Sequence, residues 1–476
     1  MTRPNVLLIC VDRWPGRHNA ALEQPTILTP TLDQLGQSGI VFTNAYSTTP
    51  SCIPARRELL TGTLSPTHGD RAFDEKLRMP DLPTLGQTFR NAGYQAFAVG
   101  KMHVYPQRDR VGFDDIILSE DGRHHLGMRA DDYELYLADQ GYPGQAWAHG
   151  AGNNAPFMSR PWHLPEHLHP TNWTVREMSR TINRRDPTRP AFWLMSFGAP
   201  HPPYTPPGGY IDLYKDADIP MPFVGEWAKD YDDLPYALKA RKQEPYPEIA
   251  LREARRAAYA LCTHLDHQIR LVIGLLREEG LLDNTIILVT GDHGEMLGNH
   301  GYFGHGDFYE DSSRIIMTLV PTAASGIGHH IKDDRLAVLA DVMPTLLELC
   351  DIQVPNEVEG LSLIGERRRD VVYGEHFTDG RATRMIRESQ YKLIYYPVGN
   401  RVQLFNLDDD PDEIHNLAGN ELHKDALQRL TTLLVNRLYG SDLDWIEEGR
   451  LVGLPDREWV PQPESGLHGQ RGLRFM

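Results

Sequence analysis

The amino-acid sequence predicts an α/β protein with a large, mostly parallel central sheet between helices and a small C-terminal subdomain that has an antiparallel sheet and a helix. Continuous apolar runs alternate with amphipathic segments up to about residue 350, which is typical of parallel strands joined by helices. Short strand-like segments at hairpin spacing follow. The 476 residues are also too many for one simple core, so we expect two domains, 1–365 and 366–476.

The chain opens with a strand, because Asn5–Val11 is continuously apolar and suits a parallel sheet buried on both faces. Pro54 favours the first turn of a helix, and Gly93 is a typical helix stop. The elements predicted after the first strand are a helix over Thr31–Gly39, a strand over Val41–Ala45, a helix from Pro54, a helix over Leu82–Ala92 and a strand over Gln95–Val99.

Two irregular regions interrupt this alternation, at residues 105–190 and 205–245. Both lack periodicity and are rich in polar residues and proline, so we expect them to form the rim of an active site. Ala191–Phe197 is the apolar strand between them. Tyr246–Gly280 then carries apolar residues at three- and four-residue steps, which predicts a long helix.

The last third of the chain completes both parts of the fold. The predicted elements are strands over Asn284–Thr290 and Ile315–Val320, a helix over Leu336–Cys350, short strands over Asp370–Tyr373, Thr383–Arg387, Lys392–Tyr396 and Val402–Phe405, and a helix over Asp425–Tyr439. Residues 443–476 are aperiodic. We expect this tail to dock on a neighbouring subunit of a homo-oligomer.

Composition limits the function classes. The net charge is −17, from 48 basic and 65 acidic residues, which argues against nucleic acid or an anionic membrane surface as the main partner. No apolar run approaches a membrane span, and no signal peptide is apparent, so we expect a cytoplasmic protein. The four cysteines are far apart in sequence and make no disulfide or metal-binding pattern.

Polar side chains suited to catalysis follow the apolar strands. In parallel sheets ligands bind outside the carboxyl ends of the strands, where such residues meet. The residues so placed are Asp12, Lys101, His103, His201, Asp292 and His293. Each has an ordinary structural explanation as a turn or loop residue. Together they predict one active site at one edge of the sheet.

Cys52 stands at the start of the second predicted helix, in the pattern Cys-x-Pro-x-Arg that Pro54 and Arg56 complete. A helix N-terminus stabilises an anion or a nucleophile, and Arg56 adds a positive charge one turn on. The alternative is a half-buried structural cysteine. Cys52 alone among the cysteines lies among polar residues and prolines, which favours a functional role.

This segment resembles the signature of type I sulfatases, in which the cysteine is oxidised to Cα-formylglycine. The resemblance covers nearly the whole chain and extends to the alkaline-phosphatase-like sandwich fold. Further motifs that carry it are Gly100-Lys101-Met102-His103, Ser196-Phe197-Gly198-Ala199-Pro200-His201-Pro202-Pro203, Thr290-Gly291-Asp292-His293-Gly294-Glu295, Tyr309-Glu310-x-Ser312-x-Arg314 and Leu404-Phe405-Asn406-Leu407.

The resemblance implies hydrolysis of sulfate monoesters, arylsulfatase-like, with a formylglycine made from Cys52 by a formylglycine-generating enzyme. It implies that one divalent cation is bound by Asp12, modified Cys52, Asp292 and His293; Ca²⁺ is favoured, with Mn²⁺ and Mg²⁺ as alternatives. Arg56, Lys101 and His103 would stabilise the nucleophile and the transferring group, with His103 as the base that breaks down the adduct. His201 would protonate the leaving oxygen.

Two residues depart from the family pattern. Many sulfatases have a second acidic ligand after the first Asp, where this chain has Arg13. The family's Gly-Lys after the second signature is here Gly304-His305. His305 would contact the sulfuryl group less strongly than Lys and would make activity pH-dependent near neutrality. Arg13 makes the chain similar to phosphonate monoester hydrolases and phosphodiesterases.

Three functions therefore remain open: a sulfatase, a phosphonate monoester or phosphodiester hydrolase with the same residues, and a non-catalytic binding protein on this fold. The substrate would be a small-molecule or saccharide sulfate ester in the first case. Candidates for the leaving-group pocket, each with a structural alternative, are Arg123, His124, His125, Trp162 and His163.

Overall fold

A nine-stranded sheet forms the centre of the computed structural model, which describes residues 3–18, 26–120, 122–151, 159–242 and 246–460. Its strands are β1 (Asn5–Val11), β2 (Ile40–Tyr46), β3 (Gln95–Gly100), β4 (Asp115–Leu118), β5 (Ala191–Ser196), β6 (Thr285–Gly291), β7 (Arg314–Ile315), β8 (Met317–Val320) and β9 (Ile331–Val338). The order across the sheet is β4-β3-β5-β1-β6-β8-β2-β7, with β9 paired to β2.

The sheet is mostly parallel, as the sequence predicts. β1 lies between β5 and β6 and runs parallel to both, so that Cys10 is level with Ser196 on one side and Thr290 on the other. β3 runs parallel to β5, whereas β7 and β8 run antiparallel to β2. The carboxyl ends of β1, β3, β5 and β6 therefore lie at one edge.

Helices cover both faces of this sheet. They are α1 (Pro30–Ser38), α2 (Cys52–Thr61), α3 (Ser65–His68), α4 (Leu85–Asn91), α5 (Asp132–Asp139), α6 (Pro170–Asn183), α7 (Gly208–Asp212), α8 (Tyr236–Lys239), α9 (Glu248–Glu278), α10 (Glu310–Ser313) and α11 (Val342–Leu349). Side chains alternate along β1: Leu8 packs in the core with α2, α4 and α11, and Leu7 in the core with α6 and α9. This arrangement is the α/β sandwich that the sequence predicts.

A second sheet is antiparallel and follows the first in sequence. It is formed in order by β10 (Val371–His376), β11 (Thr383–Glu388), β12 (Tyr391–Tyr396) and β13 (Arg401–Asn406). One face packs on α12 (Lys424–Val435) through Leu430 and Leu434. The other face packs on the first part of the chain, where Phe405 meets Tyr309.

Three predicted elements are wrong in type or extent. Residues 105–190 contain α5 and the amphipathic α6, which starts at Pro170 and buries Trp173 and Met178; the polar surroundings obscure its periodicity in the sequence. The helix predicted from Leu336 begins only at Val342, because the preceding apolar residues complete β9. The strand predicted over Ile315–Val320 is split between β7 and β8.

The described part of the C-terminal tail contains a short hairpin that the sequence does not predict, while docking on a neighbouring subunit stays a prediction. Residues 446–451 form the hairpin of β14 (Ile446–Glu447) and β15 (Arg450–Leu451). Arg457 and Trp459 then contact the ring of Tyr236 in the same chain. Residues 461–476 of the predicted tail lie outside the described residues. Within the described part of the chain, no helix combines the length and apolar character needed to cross a membrane.

Candidate active site

Four neighbouring strands deliver the predicted polar residues to one edge of the sheet. Asp12 directly follows β1, Lys101 follows β3 and Asp292 follows β6. The backbone N–H of Asp292 donates to Val11 O at 3.1 Å, and the N–H of Lys101 donates to Ser196 O at 3.0 Å. These bonds extend the strand pairing by one residue and fix the starting points of the three side chains.

Cys52 is the first residue of α2, whose ten residues are all buried. The helix thus begins two residues earlier than the predicted start at Pro54. Cys52 Sγ lies 3.1 Å from His293 Nε2 and 3.8 Å from Asp12 Oδ1. Burial, followed by the charge of Asp12, raises the pKa of the Cys52 thiol, so the unmodified residue is a neutral thiol and a poor nucleophile.

A cluster of four potential metal ligands surrounds Cys52. One donor atom from each of Asp12, Cys52, Asp292 and His293 lies within 4.8 Å of every other, and all four residues are buried. His293 Nδ1 contacts Gly294 O at 2.9 Å, which assigns the ring proton to Nδ1 and leaves the Nε2 lone pair towards the cluster. Two carboxylates and one imidazole suit a divalent cation, so the residues fit a metal site.

Basic side chains balance the buried carboxylates. Lys101 Nζ pairs with Asp12 Oδ2, and Arg56 Nε donates to Asp292 Oδ2 at 3.0 Å. Burial raises the pKa of Asp12, but the charges of Lys101 and its neighbours outweigh burial and hold the pKa of this carboxyl well below its usual range. Arg56 Nη1 also donates to Lys101 O at 2.8 Å and Ser196 Oγ at 2.7 Å, which fixes the guanidinium.

His103 lies beside this cluster in a left-handed backbone conformation, with φ of 57°. Its backbone N–H donates to Glu120 Oε1 at 2.9 Å, as does that of Met102 at 2.8 Å. Burial and then the charge of Lys101 lower the pKa of His103 well below its usual range. A neutral imidazole is the form that accepts a proton.

His201 follows β5 in a loop that contains the cis peptides Ala199–Pro200 and Pro202–Pro203. Its Nδ1 donates to Pro202 O at 2.5 Å. The side chain is half-buried and lines the same cavity as Cys52, Lys101 and His103. The structure therefore brings all of the predicted strand-end residues to one place.

The two residues that depart from the family pattern both reach this cavity. Arg13 Nη1 donates to Glu295 Oε2 at 3.1 Å, and the Arg13 N–H donates to Asp292 Oδ1 at 3.3 Å. His305 Nδ1 donates to Pro50 O at 2.8 Å. Burial, followed by the charge of His293, lowers the pKa of His305 well below its usual range. The expected pH dependence of activity through His305 stays a prediction.

The shared cavity has a volume of about 470 Å³. Of the residues suggested for a leaving-group pocket, Arg123 and His125 line it. Trp162 instead lines an adjoining cavity of about 100 Å³, which His201 also borders. His163 packs on Trp162 with ring centroids 4.5 Å apart, and His124 Nε2 pairs with Glu134 at 2.8 Å.

The sequence did not point to several residues of the site. Ser196, which accepts from Arg56, begins a motif that the sequence analysis quotes but was given no role there, and Glu120, which accepts from the His103 backbone, lies in no recognisable pattern. Other cavity residues missed by the sequence come from α8 and the second sheet and lie far along the chain: Leu238, Arg241, His376, Phe377, Arg381 and Thr383. Only proximity in the fold identifies them.

The fold is an α/β sandwich with four potential metal ligands buried at the carboxyl edge of its central sheet. Residues 4–352 match the model of the sulfatase family, and residues 298–438 match the C-terminal region of N-sulphoglucosamine sulphohydrolase. The chain is 35% identical over 470 residues to an arylsulfatase of Clostridium perfringens, covering 94% of this chain and 97% of that protein. A choline-sulfatase of Rhizobium meliloti is 30% identical over 448 residues, covering 88% and 83%. The chain therefore belongs to the sulfatase family and is a sulfuric ester hydrolase.

Solved structures show the same fold at lower identity. The phosphonate monoester hydrolase of Agrobacterium radiobacter superposes with a TM-score of 0.78 at 21% identity, covering 95% of this chain and all (100%) of that one. A protein in complex with D-glucosamine-2-N,6-O-disulfate superposes with a TM-score of 0.73 at 20% identity, covering 91% and 97%. These similarities extend to the fold alone.

Proposed function

We propose that this chain hydrolyses sulfate monoesters with a Cα-formylglycine made from Cys52 and one divalent metal ion. The observation that carries the proposal is the position of Cys52: its Sγ lies 3.1 Å from His293 Nε2, inside the cluster of Asp12, Asp292 and His293. An oxygen in place of sulfur would complete a ligand set for a hard cation. Conversion is a two-electron oxidation that replaces CH₂SH by CHO, carried out by a formylglycine-generating enzyme with an external oxidant.

The proposed metal ligands are Asp12, Asp292, His293 and an oxygen of modified residue 52. When bound, the cation would polarise the sulfuryl oxygens and favour loss of a proton from the hydroxyl at residue 52. We expect Ca²⁺ because most of these ligands are oxygens, with Mn²⁺ favoured next by the imidazole and Mg²⁺ as a further alternative.

The chemistry at residue 52 explains why a hydrated aldehyde is needed. One hydroxyl of the hydrate would lose its proton to Asp292 and attack sulfur, the bond from sulfur to the ester oxygen would break, and the leaving oxygen would take a proton from His201. The second hydroxyl then loses its proton to His103, the C–O bond to sulfate breaks, and sulfate leaves as the aldehyde forms again. A serine would support the first step and has no second hydroxyl for the release.

Five side chains of the site carry the remaining roles. Arg56 is held by Asp292 and Ser196 beside residue 52, where its charge stabilises an oxyanion. Lys101, with His201 and His305, would bind the sulfuryl oxygens. His103 is neutral and enclosed, which suits the base that breaks down the adduct.

Arg13 favours a second candidate, hydrolysis of phosphonate monoesters or phosphodiesters by the same residues. Because Arg13 cannot ligate a cation, the cluster has one carboxylate fewer than many sulfatases. A phosphonate monoester carries one negative charge, as a sulfate monoester does, and differs by a substituent on phosphorus. The cavity of about 470 Å³ leaves room for that substituent.

Two measurements on protein from a converting host test the proposal. Peptide mass spectrometry should place a loss of about 18 Da on Cys52, the exchange of H₂S for one oxygen. The protein should turn over 4-nitrophenyl sulfate faster than 4-nitrophenyl phenylphosphonate, and chelation of the metal should abolish both activities. A rate ratio in favour of the phosphonate would select the second candidate. If Cys52 is unmodified and the protein turns over neither substrate, the remaining function is that of a non-catalytic binding protein.

A further inference from the structure

Arg123 is a buried cation on the wall of the active-site cavity. Its side chain is 4% exposed and lines the same cavity as Cys52 and His103. Arg123 Nη2 pairs with Glu120 Oε2. Its Nε and Nη1 have no hydrogen-bond acceptor among the described residues.

Glu120 accepts from Arg123 only through Oε2 and does not satisfy these two donors. Its other oxygen, Oε1, already accepts the backbone N–H groups of Met102 and His103. Buried donors are almost always paired, and a buried charged donor without an acceptor is strongly unfavourable. The missing acceptor for Arg123 must therefore come from the cavity, which is where a substrate binds.

The charge of the cavity indicates which kind of acceptor suits it. Among the described residues, five basic side chains line it, namely Arg13, Lys101, Arg123, Arg241 and Arg381, but only two acidic ones, Glu75 and Asp307. Asp307 pairs with Arg241, and Glu75 pairs with His125. Arg13, Lys101, Arg123 and Arg381 also pair with carboxylates, but those acidic residues, Glu295, Asp12, Glu120 and Asp379, are not among the residues that line the cavity. The surface that faces the cavity is therefore richer in basic than in acidic groups, which favours an anion over a neutral hydroxyl or water.

The position of Arg123 separates it from the sulfuryl group. Arg123 Nη2 pairs with Glu120, whereas Arg56 and Lys101 pair with Asp292 and Asp12 of the donor cluster around residue 52. The sulfuryl group itself belongs near residue 52, where Arg56 and Lys101 lie. An anion on Arg123 would therefore be attached to the leaving group, on the far side of the ester oxygen.

We propose that Arg123 binds a second anionic group of the substrate, so that the enzyme acts on sulfate esters whose leaving group is itself an acid. A carboxylate or a second sulfate presents two oxygens in the plane that a guanidinium matches. The body of the leaving group would pack on Phe73 and Phe377, which also line the cavity. This assignment rests on the proposed sulfatase function and narrows its substrate class.

Matched aryl sulfates test the assignment directly. The carboxyphenyl sulfates and the corresponding carbamoylphenyl sulfates, as ortho, meta and para isomers, have nearly the same shape and differ by one charge. The kcat/KM ratio of carboxylate to amide should be about tenfold to a hundredfold for at least one isomer, the range expected for a charged hydrogen bond. A ratio near one for all three isomers in the unaltered enzyme would overturn the proposal without any variant.

Variants separate contact with the substrate from an indirect effect. In Arg123→Gln the ratio should fall to about one, and in Arg123→Lys it should be intermediate. Arg129→Gln removes the same charge from an exposed position six residues on and should leave the ratio unchanged. Equal losses on both probes in Arg123→Gln would instead mean that Arg123 only positions His103 through Glu120.

A binding measurement distinguishes failure of this assignment from failure of the proposed function. In Cys52→Ala, which cannot turn over, calorimetry should give a dissociation constant about tenfold or more lower for the carboxylate probe, and Arg123→Gln should remove the difference. If Cys52→Ala binds the carboxylate probe selectively but the converted enzyme does not turn it over, only the sulfatase function is contradicted. Turnover without charge selectivity would contradict only the role of Arg123.

Discussion

His305 packs against His293 with ring centroids 3.9 Å apart and ring planes inclined at 35°. The same residue donates from Nδ1 to Pro50 O at 2.8 Å. His305 therefore links the proposed metal ligand to the loop that precedes Cys52. A lysine at this position would direct a positive charge towards the sulfuryl group. The imidazole of His305 also packs against and supports the imidazole of His293.

The contact predicts that His305→Ala lowers kcat/KM by about tenfold to a hundredfold, because it removes both a substrate contact and the support of His293. Steady-state kinetics with 4-nitrophenyl sulfate measures this effect. His330→Ala, at an exposed position, is the matched control. His305→Lys should retain more activity than His305→Ala if contact with the sulfuryl group dominates. Equal losses of kcat/KM in His305→Ala and His305→Lys would mean that His305 acts mainly by supporting His293.

The Cys52→Ser variant should transfer one sulfuryl group to its serine and then stop turning over. The serine oxygen can accept the sulfuryl group but has no second hydroxyl to expel it, so a covalent adduct of about 80 Da, the mass of SO₃, should accumulate on residue 52. Intact-protein mass spectrometry after incubation with substrate detects it. Cys262→Ala, which removes a buried cysteine of α9, should still turn over many substrate molecules. A Cys52→Ser enzyme with sustained turnover would exclude release through the aldehyde.

Replacing His201 should matter most for poor leaving groups. If His201 protonates the leaving oxygen, His201→Asn should lower kcat/KM by roughly a hundredfold or more for alkyl sulfates and much less for 4-nitrophenyl sulfate, whose oxygen leaves without a proton. The slope of log(kcat/KM) against leaving-group pKa measures this and should become steeper in the variant. A parallel loss over the whole series would mean that His201 only binds the substrate.

Glu58 should make stability depend on pH. Burial raises the pKa of this carboxyl in α2 to about 7, although Thr48 Oγ1 and the Ala340 N–H donate to it. The native state therefore retains a proton that the unfolded chain loses near pH 4.5, and the contribution of Glu58 to stability falls as pH rises from about 4.5 to 7.

The comparison with Glu58→Gln isolates this contribution. Relative to the variant, the unaltered protein should lose on the order of 3 kcal/mol of unfolding free energy between these pH values, at about 1.4 kcal/mol per unit of pKa shift. Denaturant titrations at several pH values measure the difference. Glu348→Gln, at an exposed position of α11, should show none of this dependence. A pH-independent difference for Glu58→Gln would contradict the raised pKa.

Gly100 should tolerate no side chain. This residue joins β3 to Lys101 with φ of 109°, and a Cβ there would overlap Ser196 O. Gly100→Ala should therefore cost more than about 3 kcal/mol of unfolding free energy. Gly93→Ala is the control, since Gly93 also has positive φ, at 90°, but no atom lies within 4 Å of its Cβ position. It should cost only about 1 kcal/mol. Similar losses in both variants would mean that backbone strain alone matters.

The sequence predicts the sheet and the strand-end residues well, because continuous apolar runs and the polar residues that follow them are local signals. Asp12 and His293 could be placed together for that reason. Glu120 could not, since an acidic residue in a polar stretch has no distinguishing pattern. The helix wrongly predicted from Leu336 has a similar cause: the apolar residues that end β9 run directly into those of α11, and only pairing with β2 separates them.

Four other expectations from the sequence stay predictions. They are the division at residue 365, the homo-oligomer, the cytoplasmic location and the choice among Ca²⁺, Mn²⁺ and Mg²⁺. Analytical ultracentrifugation addresses the oligomer, and metal analysis of protein from its native host addresses the ion.

The cavity wall has two origins along the chain. One part of the wall comes from the first 305 residues, strand ends among them, and another part from the α8 segment and residues 376–383 at the β10–β11 hairpin. Part of the cavity wall is thereby built by a stretch of sequence separate from the residues proposed for bond cleavage. Evolution can change that hairpin, through its length or its charges, while the cluster around residue 52 stays intact. For protein engineering, the hairpin is therefore the segment to randomise when a new leaving group is wanted.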